Sequence, residues 1–227
     1  MENFVMMHLA HYMVSCKGLY GLFSNPCFGK TTFMMHLIHE FSGFGEKSLL
    51  FSLELTEQQA LDRMNQLKLS SNGLIVFDDP LCNFETIAKI TQTEKPQCVF
   101  IDYLQLVAGN RCDLIKDLKR ISKLFSIPIF FTGQLHRASG DYDLKNRRPE
   151  LYDLTYLFPP DTSLLNARSA LDNLDLIMFL HRNHDCDRTI GTAYRYNISN
   201  RAELIIRQRD FSDLPATFYF DFREMLV

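Results

Sequence analysis

The chain has 227 residues, 46% apolar and 22% charged, enough for one α/β domain with a full core and short for two. A net charge of −3 and an isoelectric point near 6.2 exclude a surface that is basic throughout, so any contact with nucleic acid must be local. Six cysteines, at 16, 27, 82, 98, 112 and 186, form no C-x-x-C pair, which points to a reducing, cytoplasmic compartment without a disulfide framework.

Residues 1–16 (MENFVMMHLAHYMVSC) are apolar but carry Glu2 early, lack a basic start and are interrupted by His8 and His11. They are expected to form an exposed amphipathic helix and not a signal peptide. No run reaches the length needed to span a bilayer, so no membrane association is expected. From residue 17 onward, short apolar runs bounded by polar residues predict buried strands at 18–23, 48–53, 74–77, 98–102, 127–132 and 175–180. Between them, Leu, Ile and Met recur at three- and four-residue spacing over 30–42, 56–68, 84–93 and 113–125, which predicts helices. This alternation implies a mostly parallel central sheet flanked by helices on both faces. The tail predicts further strands at 192–197, 202–207 and 215–222, antiparallel at the C-terminal edge. The stretch 137–168, holding Arg147-Arg148-Pro149 and Pro159-Pro160-Asp161, reads as long surface loops.

The chemistry begins with Ser24-Asn25-Pro26-Cys27-Phe28-Gly29-Lys30-Thr31-Thr32, between a predicted strand and a predicted helix. In that context it reads as a phosphate-binding loop: backbone N–H groups and the helix N-terminus cradle phosphate, Lys30 neutralises charge and Thr31 reaches Mg²⁺. Ser24 stands where G-x-x-x-x-G-K-[ST] has its first glycine, which is tolerable only if the backbone there is ordinary. Three more polar residues fall at predicted strand ends: Glu54 in FSLEL, Asp102 in CVFIDYLQL and Gln134 in FFTGQLHR. Ligands of open parallel sheets bind at the carboxyl ends of the strands, so the four together suggest a phosphoryl-transfer site. His181-x-x-His184-x-Cys186, with Asp185 and Asp187, has metal-ligand residue types but a spacing that fits no common zinc site. Cys27 is either a small filler or a thiol activated by the helix N-terminus.

The combination of P-x-x-GKT, FSLEL, VFIDYLQL, IPIFFTGQLHR, RRPELYDL, DLIMFLHR and AELIIRQR resembles the RecA-fold motor domain of DnaB-type replicative DNA helicases over about residues 18–222. The resemblance implies a RecA-like P-loop NTPase domain over 17–227, with 1–16 as a helical segment that docks onto a neighbouring subunit. It implies ATP and Mg²⁺ as ligands, with Lys30 and Thr31 on the phosphates and metal, Asp102 as the Walker B acid and Glu54 as the general base. Gln134 would be the γ-phosphate sensor, Arg209 the arginine finger serving a neighbour's ATP, and Arg207 the cation that accompanies it. Single-stranded DNA and a homo-oligomer, up to a hexameric ring, are the implied partners.

The chain also departs from the family. Beyond Ser24, a segment after IDYLQL is shortened, NARSALDNLD blurs a family motif after an insertion containing FPPDTS, and Asp-Phe-Ser follows the finger. The helical collar domain is not found in the chain. Arg111, Lys116, Lys119, Arg120, Arg137, Lys145, Arg147 and Arg148 are the candidates for DNA contact, or else a solvated face. The expected activity is an ATP-hydrolysing motor on single-stranded DNA; the alternative is a truncated, non-catalytic relative that binds nucleotide and accompanies a helicase ring.

Overall fold

Alternate residues of the central strands enter two different cores, which places helices on both faces of one sheet. The structure, a computed structural model, describes residues 2–135, 147–186, 196–208 and 216–221. Its elements are α1 (Glu2–Cys16), β1 (Leu19–Ser24), α2 (Lys30–Gly43), β2 (Ser48–Ser52), α3 (Glu57–Gln66), β3 (Leu74–Phe77), α4 (Phe84–Glu94) and β4 (Cys98–Asp102). They continue with a 3-10 turn (Leu104–Leu106), α5 (Arg111–Phe125), β5 (Ile129–Gln134), a second 3-10 segment (Leu151–Leu157), α6 (Leu164–Leu171), β6 (Leu176–Cys186), β7 (Tyr196–Gln208) and β8 (Ala216–Asp221).

The eight strands form one sheet in the order β3-β2-β4-β5-β1-β6-β7-β8. Strands β3 to β6 along that order run parallel, while β7 pairs antiparallel with both β6 and β8. On β1, Leu19 and Phe23 join Phe51, Ile101 and Phe131 in a core covered by α4, α5 and α6. Tyr20 and Leu22 point the other way, with Leu50, Phe100 and Phe130, into a core covered by α1, α2 and α3. The period of two along each strand is the physical origin of this division. Helix starts are set by side-chain caps: Thr56 and Gln59 form a reciprocal capping box on α3, and Asn83 and Asn110 cap α4 and α5.

Three expectations need correction. Of residues 1–16, Glu2–Cys16 are helical but not simply exposed, because Met6, Leu9, Ala10 and Met13 are buried in the same core as Phe33 and Phe41 of α2. Their spacing of three, one and three residues is that of a buried helical stripe. Of the strands expected at 192–197 and 202–207, residues 192–195 lie outside the described residues, while 196–208 form one strand, β7, which runs on through the polar stretch Asn197-Ile198-Ser199-Asn200 by means of a register shift opposite Arg182 and His184. Finally, the second half of the expected loop region is structured: Leu154, Leu157 and Phe158 are buried, and α6 follows, capped by Ser163. Among the described residues no helix is long and apolar enough to cross a membrane.

Candidate nucleotide site

The site is built where β1 hands over to α2. Ser24 is the last residue of β1, paired with Gln134 of β5, and its carbonyl accepts from Leu135 N at 2.8 Å. It therefore has ordinary strand geometry, and the missing glycine costs the loop no backbone strain. Left-handed conformations fall instead at Cys27 (φ 63°) and Gly29 (φ 97°). Gly29 precedes the first residue of α2 and offers no side-chain cap, so the helix's first N–H groups are left for a ligand.

Lys30 lies on that first turn and is buried. Its Nζ donates to Ser24 Oγ at 3.3 Å and to the Asn25 carbonyl at 3.2 Å. The Ser24 hydroxyl in turn donates to the same carbonyl at 2.9 Å. Burial pushes the Lys30 ammonium below its usual pKa, opposed by the charges of Asp102, Glu54 and Cys27. Asn25 Oδ1, beside it, is buried without a hydrogen-bond partner. A desolvated cation whose hydrogen bonds go only to neutral oxygens is suited to an anion, whereas the unpaired Asn25 oxygen is an acceptor that calls for a donor.

Thr31 Oγ1 donates to Asp102 Oδ2 at 2.7 Å, joining the helix that leaves the loop to the end of β4. The other oxygen, Asp102 Oδ1, accepts from Thr132 Oγ1 of β5 at 2.5 Å. Thr31 and Asp102 thus present only oxygen donors, the donor set that suits Mg²⁺ held partly by water and phosphate. Two bonds fix the segment after β2: Leu53 N donates to the Asp102 carbonyl at 2.9 Å, and Ser52 Oγ donates to the Leu55 carbonyl at 2.6 Å. Glu54 sits between them and is exposed. Partial burial raises its carboxyl pKa, Asp102 raises it further, and Lys30 pulls it back. Beside it opens a pocket of about 390 Å³ lined by Thr31, Glu54, Leu55, Gln59, Asp62, Arg63 and Gln66.

The structure therefore brings Lys30, Thr31, Glu54 and Asp102 together at neighbouring strand ends, with Gln134 closing β5 beside Ser24. Sequence reasoning passed over Thr132, Gln105 and Arg63. Thr132 and Gln105 stand inside stretches already singled out, FFTGQ and YLQL; Arg63, whose Nη2 reaches Thr32 Oγ1 at 3.4 Å, carries no pattern that distinguishes it from other exposed helical residues. Arg207 lies on β7 opposite Ile177, with its side chain outside the described residues, and Arg209 lies wholly outside them.

Several proposed DNA contacts are engaged within the chain. Arg147 pairs with Glu150 and Asp153, and Arg148 with Glu203. Arg120 pairs with Asp117, Lys119 with Asp175, and Arg111 donates to the Leu157 carbonyl. Arg137 and Lys145 lie outside the described residues. His181 is buried with its ring 6.2 Å from that of Phe28, while the side chains of His184, Asp185 and Cys186, and all of Asp187, lie outside the described residues. Among the described residues no group of three His, Cys, Asp or Glu could hold a metal. Cys16, Cys27, Cys82, Cys98 and Cys112 are free thiols, and burial drives the pKa of Cys98 well above the ordinary thiol range.

The chain is 25% identical over 248 residues to the replicative DNA helicase DnaB of Mycoplasma pneumoniae (strain ATCC 29342 / M129 / Subtype 1), which covers 88% of the chain and 50% of the relative. It is 24% identical over 202 residues to the replicative DNA helicase DnaB of Helicobacter pylori (strain J99 / ATCC 700824), covering 71% of the chain and 39% of the relative. The chain thus spans about half, or less, of the length of these relatives. Among solved structures, a DnaB-like replicative helicase, solved together with its interactions with primase, superposes with a TM-score of 0.68 at 21% identity, covering 89% of this chain and 54% of that one. The flagellar accessory protein FlaH from Methanocaldococcus jannaschii superposes with a TM-score of 0.59 at 14% identity, over 90% of this chain and 84% of that one. At these identities the structures report the fold, which is RecA-like. The sequence profile described as DnaB-like helicase C terminal domain matches residues 65–212, a span that holds Asp102, Gln134, Arg207 and Arg209 and begins after the loop of Lys30. On that match, the chain belongs to the DnaB-like helicase C-terminal domain family.

Proposed function

We propose that the chain binds and hydrolyses Mg·ATP as the motor domain of a replicative-type helicase acting on single-stranded DNA. The observation that carries this reading is the 2.7 Å bond between Thr31 and Asp102 with the buried, anion-poor Lys30 alongside. Lys30 would leave Ser24 and Asn25 for the β- and γ-phosphate oxygens, which supply the negative charge its present partners lack. Thr31 and Asp102 would hold Mg²⁺, which supplies charge neutralisation on the phosphates when bound. Glu54 would take a proton from the attacking water; a carboxyl pKa raised by burial and by Asp102 makes it a stronger base than a solvated glutamate. Gln134 would sense the γ-phosphate from the tip of β5. Arg209 would complete the site of a neighbouring subunit, with Arg207 beside it and residues 1–16 contributing to docking, in a homo-oligomer that could close as a hexameric ring.

A second reading, an accessory relative that binds nucleotide without turnover, is favoured by the ion pairs that occupy Arg147, Arg148, Lys119 and Arg120. Steady-state ATPase assays with and without single-stranded DNA separate the two. The motor reading expects turnover that rises with DNA and falls at least about a hundredfold in Lys30→Ala and Glu54→Gln. Nucleotide binding with no turnover under any DNA condition would leave only the accessory reading.

A further inference from the structure

The backbone ladder between β4 and β5 stops at Ile101 and Phe131. On its other edge β5 remains paired with β1 as far as Gln134 and Ser24. One edge of β5 thus outruns its neighbour, and a bare strand edge leaves peptide groups in need of partners. Gln105, in the 3-10 turn that follows Asp102, fills that role with its side chain. Its Nε2 donates to the Gln134 carbonyl at 2.7 Å, and its Oε1 accepts from Gln134 N at 3.2 Å. A planar amide is suited to this because it presents one donor and one acceptor side by side, as a peptide in a ladder does. The contact links two parts of the site by a second route. Asp102 already accepts from Thr132 of β5, and the chain three residues beyond Asp102 now grips the tip of the same strand.

We propose that Gln105 is a positioning residue: it holds the backbone of Gln134 in register with the Asp102 end of β4, so that the Gln134 side chain meets a γ-phosphate. The inference rests on the nucleotide-binding reading above. An ordinary staple of the fold would matter equally for every ligand. A holder of the γ-phosphate sensor matters only where a γ-phosphate is present.

The test is therefore a comparison of ligands that does not depend on turnover. Fluorescent N-methylanthraniloyl ADP and the matching ATPγS analogue are titrated against the full chain with Mg²⁺. Wild type is expected to bind the triphosphate more tightly than ADP. Gln105→Ala is expected to lower that preference about tenfold, the scale of losing a pair of hydrogen bonds, with ADP affinity held within about twofold. Gln105→Glu, which keeps the acceptor but turns a lone pair toward the Gln134 carbonyl, should show a loss of similar size. Gln134→Ala should also remove the preference, and the double variant should lose no more than Gln134→Ala alone, since both act through one contact. Thermal melting of each variant identifies any that fail to fold, and Gln105→Glu is the variant that preserves shape. A preference unchanged in Gln105→Ala or Gln105→Glu, equal losses for ADP and the triphosphate, or additive losses in the double variant would overturn the role of Gln105 alone. A wild-type chain that binds neither nucleotide would overturn the site itself.

Discussion

A lysine that is only 8% exposed, with two neutral oxygens as its hydrogen-bond partners, is held in a state that does not favour its charge. The direction of its pKa shift gives the sign of the effect. In the folded chain Lys30 holds its proton less tightly than in the unfolded chain, because burial outweighs the attraction of Asp102, Glu54 and Cys27. Its contribution to stability is therefore unfavourable below the depressed folded value and is relieved as pH rises through the window between that value and the ordinary 10.5. Lys30→Met, which keeps the length of the side chain without the charge, is expected to raise the melting temperature by about 2–4 °C at neutral pH, the shift that corresponds to roughly 1 kcal/mol in a chain of this size, while eliminating nucleotide binding. Calorimetry of the two proteins at pH 7 checks it; a variant that melts lower than wild type would show that Lys30 stabilises the loop. Ser24 belongs to the same local network. Its hydroxyl accepts from the lysine and donates to the carbonyl that the lysine also uses, so it contributes a polar contact that a glycine could not.

At the scale of elements, two glycines shape the path of the strands into the site. Cβ atoms on Gly21 and Gly133 would lie 2.5 and 2.6 Å from the Phe23 ring. That ring is fully buried, edge-on to Phe131 at 5.7 Å and tilted against Phe179 at 6.1 Å. Gly133→Ala is expected to destabilise the chain by about 1–3 kcal/mol through overpacking, whereas Gly43→Ala, where an added Cβ meets nothing within 4 Å, should be neutral or stabilising by up to about 1 kcal/mol. Denaturant melts of the two variants measure the difference, and equal midpoints would remove the steric account. Much at this scale was legible in the sequence. Apolar runs flanked by amphipathic periods located β1 to β4 and α2 to α5 within a few residues, because parallel strands buried on both faces read as near-continuous apolar runs. The strand-end positions of Asp102 and Gln134 followed from the same runs. What was not legible depended on register. Gln105 reaches Gln134 because the ladder of β4 ends short of the tip of β5, and Arg63 reaches Thr32 because α2 and α3 share one core on the same face of the sheet. A local pattern carries no information about either. The continuity of β7 through a polar stretch was hidden for a similar reason, since it depends on pairing with β6: between the Arg182–Ala202 and His184–Ile198 pairs, β7 takes up two more residues than β6 does.

In the whole molecule, the sheet order places the phosphate loop near the middle, with β5 on one side of β1 and β6 on the other, and the antiparallel pair β7 and β8 at one edge. Arg207 is carried on that edge region, two strands from β1, and the role proposed for it and for Arg209 at a neighbour's nucleotide is one that only an oligomer can supply. Multi-angle light scattering with Mg²⁺ and a non-hydrolysable ATP analogue is expected to show a nucleotide-dependent oligomer, up to six chains. A strict monomer in every nucleotide state, with Arg209→Ala leaving turnover unchanged, would remove the trans-acting role.

The seat of α1 bears on how this protein can be cut. The boundary near residue 17 looks in the sequence like a place where one segment ends and the next begins. Yet Met6, Leu9, Ala10 and Met13 share a core with Phe33 and Phe41, and the Tyr12 ring stands edge-on to that of Tyr20, 6.1 Å away. A fragment trimmed to start at Gly18 would open the flank of the very helix whose first residue is Lys30. For anyone dissecting the chain by protease or by shortened clones, a piece that keeps its phosphate loop properly backed has to include Met6 to Met13 of α1.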